Sequence, residues 1–127
     1  MDADPQPAKR GPPVLLFAPA LAFLVLAAHF HRAGQTLASV GALTLLAVLT
    51  LPRPWAARIV QAGLLLATLE WLRTAAMLIS LRVSLGQPYL RLALILGVVA
   101  LSTAACLLLF RSGRVRRYFG LPLGAVR

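Results

Sequence analysis

The chain has 127 residues, 60% of them hydrophobic and 13% charged, with a mean hydropathy of +0.84. A soluble domain carries about 25% charged residues, and one of this length has too little interior to hide so much apolar surface. The same hydrophobicity excludes a disordered chain, so an integral membrane protein is expected. The net charge of +10 arises from 13 Lys and Arg against three acids, Asp2, Asp4 and Glu70. In a soluble protein that balance would point to nucleic acid. Here the basic residues are spaced along an apolar chain, so they read as topology signals and lipid-headgroup contacts, and no nucleic-acid partner is expected.

In chain order, residues 1–13 hold four prolines and are expected to form a disordered tail. Charged residues then cut the chain into four apolar runs: Gly11–His31, Ala33–Pro52, Ile59–Leu81 and Leu92–Phe110, of 21, 20, 23 and 19 residues. At about 1.5 Å per residue, a helix of such length crosses an apolar layer of about 30 Å. In lipid the backbone has no water partners, so helix is the state these runs can adopt. They do not alternate polar and apolar residues as barrel strands do. The expected fold is all-α, a four-helix transmembrane domain over residues 14–111, with helices near 14–31, 33–52, 55–82 and 88–111. Residues 112–127 form a basic tail whose end, from Gly120, is expected to be loose.

The punctuation agrees with these spans. His29 to Gly34 makes a very short first turn. Pro52-Arg53-Pro54 closes the second helix, and Pro54 can begin the third because its missing N–H is not needed there. Gly86 is a natural C-terminal cap before Pro88. Pro19 is a candidate kink one turn into the first helix. Trp55, Tyr89 and Tyr118 fall near span ends, at headgroup level. The first run follows Lys9 and Arg10 but is longer than a signal core and lacks a small-residue cleavage site at a suitable distance, so it reads as a retained helix.

Counting Lys and Arg sets the expected orientation. With the N-terminus inside, Lys9, Arg10, Arg53, Arg58, Arg111, Arg114, Arg116, Arg117 and Arg127 make nine on the cytoplasmic side. Arg32, Arg82 and Arg91 make three outside, and Arg73 lies within a span. The positive-inside bias places both termini in the cytoplasm, with a bacterial inner membrane as the expected location.

Glu70 and Arg73 are the informative pair. Glu70 is the twelfth of 23 residues in the third run, and Arg73 lies one turn on along the same side. A charged side chain at mid-membrane is costly to insert, so the two are expected to pair and to face the bundle interior or a partner protein. Gly63, Ala67, Thr74 and Leu81 extend this helical stripe. Small residues let helices approach, and Thr can hydrogen-bond across. Gly34, Ala38 and Gly41 on the second helix, and Ala93, Gly97 and Ala105 on the fourth, give similar packing faces. In size and in carrying an embedded glutamate the chain resembles the small four-helix multidrug transporters. Their glutamate lies in the first helix without an adjacent arginine, so the resemblance stops at architecture.

The remaining polar residues read as structural. His29 and His31 are two apart on a helix, point in different directions, and suit a polar interfacial turn better than metal or haem ligation. Arg82 and Arg91 flank the short outer loop and are expected to snorkel. Arg111, Arg114, Arg116 and Arg117 form a juxtamembrane basic cluster facing anionic lipid. Cys106, the only cysteine, lies in an apolar run and reads as a small hydrophobe. No phosphate loop, nucleophile elbow or paired carboxylate is present. No enzyme activity and no cofactor or metal are expected. The leading expectation is a non-enzymatic accessory, assembly or structural component of a membrane complex, contacting the bilayer and other subunits or itself. The alternative is an oligomeric transporter with Glu70 as coupling carboxylate.

Overall fold

The computed structural model describes residues 13–122. A 3-10 turn at Val14–Leu16 leads into α1 (Phe17–Arg32), followed by α2 (Thr36–Leu49), α3 (Pro54–Ser84) and α4 (Leu90–Leu108). A second 3-10 turn, Leu109–Arg111, leads to a short α5 (Gly113–Tyr118). No strand occurs among the described residues. The tail residues 1–12 and 123–127 lie outside the described residues.

Three runs, Val14–Arg32, Pro54–Ser84 and Leu90–Arg111, are long and apolar enough to cross a membrane. The second helix differs from its expected span. Only 14 residues of the apolar run are helical, about 21 Å at 1.5 Å per residue. The cause is local chemistry at both ends. Gly34 takes φ 75°, with Gly34 N–H donating to His31 O and Gln35 N–H to Phe30 O. This is the left-handed cap that closes α1 and consumes the following residues. At the other end Pro52 and Pro54 deny the chain helical continuation, and Arg53 is extended (φ −128°, ψ 144°), as a residue before proline tends to be. Gly86 repeats the same cap at the end of α3, with φ 64° and Gln87 N–H donating to Arg82 O. Pro19 falls in the third position of α1, where its absent N–H costs little, and its ring is fully buried.

The helices form two antiparallel hairpins, α1–α2 and α3–α4, each closely packed within itself, with α2 against α3 as the main seam between them. Phe23, Leu26, Ala42, Val60, Leu64, Ala67, Leu96 and Ala100 fill the core. Inside the first hairpin, buried Ser39 donates its hydroxyl to Ala27 O at 3.0 Å. At the seam a Cβ on Gly63 would stand only 2.7 Å from Leu45 Cδ1, so the Leu45 side chain of α2 packs directly onto Gly63 of α3.

The hairpins differ in height. His29, three residues before the end of α1, lies beside Glu70, fourteen residues before the end of α3. At 1.5 Å per residue, α3 therefore outruns α1 by about 16 Å. The upper part of the α3–α4 hairpin stands clear of α1 and α2, and Met77, Leu81, Leu90 and Leu94 are exposed on it. At the opposite end α5 folds under the bundle: Val115 and Phe119 are fully buried, and Phe119 stacks on Phe110 at 5.7 Å.

Candidate polar site at the level of the first turn

Glu70 sits on the flank of α3 that faces the α1–α2 hairpin, because it shares a helical stripe with buried Gly63, Ala67 and Thr74. Arg73, three residues on, folds back along the helix. Its Nε donates to Glu70 Oε2 at 2.9 Å and its Nη2 to Oε1 at 2.8 Å, a bidentate fork. Thr74, one turn after Glu70 and buried, donates its hydroxyl to Oε1 at 3.3 Å. The sequence-expected pair thus forms, with Thr74 as its third member.

The fourth member was not expected. His29 of α1 places Nε2 3.6 Å from Glu70 Oε1 and 3.5 Å from Thr74 Oγ1. Its ring is 4.7 Å from that of Trp71 and 5.5 Å from that of Phe30. Sequence reasoning put His29 in an interfacial turn and Glu70 at mid-span, at different depths. The height offset between the hairpins removes that separation. A histidine near the end of an apolar helix, in a chain with one acid inside an apolar run, is the only sequence hint of this contact.

The four side chains are not equally enclosed. The Glu70 side chain is 17% exposed and that of His29 25%, whereas that of Arg73 is 57% exposed. Arg73 lies on the outer flank of α3 with exposed Leu66, Leu69 and Met77, which precede or follow it by whole helical turns. Arg32, exposed at the end of α1, lies near the same level. Below Glu70 a groove of about 250 Å³ runs between α2 and α3, lined by Ala38, Gly41, Leu45, Gly63 and Ala67 among others. No group of three or more His, Cys, Asp or Glu able to hold a metal ion occurs among the described residues.

The other candidate residues lie elsewhere. On α4 the buried positions are Leu96, Ala100, Thr103 and Cys106. Ala93 and Gly97 are only half-buried, and a Cβ on Gly97 would meet open space. Arg82 donates to Pro88 O at 3.1 Å, closing the α3–α4 turn, and Arg91 is exposed beyond it. Arg111, Arg114 and Arg117 are exposed at the far end, and Arg116 donates to Pro122 O. No protein-family model, curated protein or solved structure matches this chain.

Proposed function

We propose that this chain is a polytopic membrane protein acting as a non-enzymatic accessory or assembly component of a larger membrane complex. The observation that carries this reading is the exposure of Arg73. Its guanidinium is paired, yet it opens to the outside of the bundle at a level where α3 is flanked by exposed Leu66, Leu69 and Met77. A charge on a lipid-facing helix surface is costly, and such residues ordinarily face protein or water. A neighbouring membrane segment laid against this flank would cover the guanidinium and the apolar step above the first turn together.

In this reading α1, α3 and α4 and the shorter α2 all lie in the bilayer of a bacterial inner membrane, with both termini in the cytoplasm. The α1–α2 turn then lies deeper than the α3–α4 turn, with Arg32 reaching outward. The nine-to-three division of basic residues supports the orientation. The test is affinity purification of the tagged chain from native membranes in mild detergent. A stoichiometric membrane partner, or a stable oligomer, that is lost on Arg73→Leu/Glu70→Leu double replacement is expected. Recovery of a partnerless monomer refutes the proposal.

One observation favours the rival transporter reading: His29 and Glu70 bring two titratable groups from different helices within 3.6 Å. Against it, both carboxylate oxygens already accept from Arg73, so a coupling ion would have to displace a bidentate guanidinium. pH-driven flux in reconstituted vesicles, abolished by Glu70→Gln, would establish the transporter instead.

A further inference from the structure

We infer that the end of the bundle beneath α5 is a binding surface for the phosphate headgroups of anionic phospholipid, built jointly by Arg111, Arg114 and Arg117 with Arg53 and Arg58. The first three come from the C-terminal segment, the other two from the α2–α3 connection and the first turns of α3, more than fifty residues earlier.

What joins them is the docking of α5. Val115 and Phe119, four residues apart, turn one side of this segment into the bundle. Phe119 stacks on Phe110, and the Tyr118 hydroxyl donates to Thr50 O at 2.8 Å. A Cβ on Gly120 would lie 3.8 Å from Pro54 Cγ. The segment is thereby held against the α2–α3 connection, which contains Arg53, and Arg58 follows in the second turn of α3. Arg114 and Arg117, three apart, share the opposite side of α5 and are exposed, as are Arg53, Arg58 and Arg111. Arg116 is half-buried, with its guanidinium donating to Pro122 O.

No carboxylate balances these five charges among the described residues. The one described acid, Glu70, lies twelve residues beyond Arg58, about 18 Å along α3. An arginine fork matches a phosphate diester in geometry as well as charge. Half-exposed Trp55, between Arg53 and Arg58, supplies an amphipathic ring of the type that settles at headgroup level. The surface adjoins apolar helices on the membrane side, which favours a lipid phosphate over a soluble polyanion.

The test uses the full-length protein in uncharged detergent, titrated with phosphatidylglycerol and, separately, with phosphatidylcholine. Phosphatidylglycerol is expected to bind preferentially. At roughly fivefold per arginine, Arg114→Gln/Arg117→Gln and Arg53→Gln/Arg58→Gln should each weaken it by about 25-fold. Phe119→Ala, which retains every charge, should also weaken it by releasing α5. The Arg53/Arg58 pair is exposed, so its replacement does not depend on refolding of the tail. Equal affinity for phosphatidylcholine, or an effect of the tail arginines without one of Arg53 and Arg58, overturns the proposal. So does displacement of the lipid by millimolar inorganic phosphate, or tighter binding of a single-stranded RNA oligonucleotide at physiological salt.

Discussion

Replacing Gly63 tests the seam on which the two hairpins meet. An added Cβ would lie 2.7 Å from Leu45 Cδ1, 3.0 Å from Cδ2 and 3.4 Å from Cγ. All three atoms belong to the outer part of one flexible, half-buried side chain, and the groove beside them offers about 250 Å³ into which it can turn. Gly63→Ala therefore sets a helix-propensity gain of about 1 kcal/mol against a rotamer adjustment of similar size, and the net change should stay within about 1 kcal/mol. Gly63→Val adds two further methyl groups that the same movement cannot clear, so α2 and α3 must separate, at a cost of about 1–3 kcal/mol. Leu45→Ala alone should cost about 1–2 kcal/mol, at or below the low end of the range for buried leucines. Combined with Gly63→Val it removes the atoms in conflict, so the double variant should be more stable than the sum of the singles by at least 1 kcal/mol. Unfolding of the purified protein by SDS in mixed micelles, followed by circular dichroism, measures all four variants. A stable Gly63→Val, or strict additivity with Leu45→Ala, would refute the seam as described.

Other replacements probe the remaining contacts. Glu70→Gln and Arg73→Gln singly should each lower the yield of folded protein in membranes, because each strands its charged partner, while the double replacement should restore it; additive losses would show that the pair does not act as a unit. Ser39→Ala removes the buried bond to Ala27 O and should cost about 0.5–1.5 kcal/mol in the same SDS titration. Tyr118→Phe removes the bond to Thr50 O and should cost about 1 kcal/mol at neutral pH. Burial raises the Tyr118 phenol above its ordinary value of 10.0. Its contribution is therefore complete below that pH and is lost as pH rises through the raised value, so the Phe variant should show less alkaline destabilisation.

The polar site shows how far sequence reasoning reaches within one helix and where it stops. Arg73 and Thr74 both lie one turn after Glu70, so their contacts with its carboxylate follow from helical geometry. His29 is forty-one residues away, and its approach depends on the vertical register of α1 against α3, which no local pattern encodes. The tail gives a second case. Its arginines are plain in the sequence, but Val115 and Phe119 mark only two apolar positions in a short basic stretch. Their burial depends on a surface that Phe110, Thr50 and Pro54 make together.

Composition and charge spacing by themselves determined that the protein is helical and apolar enough for membranes, because backbone groups in lipid must be satisfied within a helix. Proline and glycine placed the turns, since proline fixes φ and lacks an N–H while glycine admits the positive φ of the caps at Gly34 and Gly86. Tertiary structure decided the heights of the hairpins, and with them the meeting of His29 with Glu70, the exposure of Arg73 and the gathering of five arginines at one end. These are relations between segments distant in the chain. They are set by which side chains can share a core, with Gly63 yielding to Leu45 at the seam and Phe119 resting on Phe110 below.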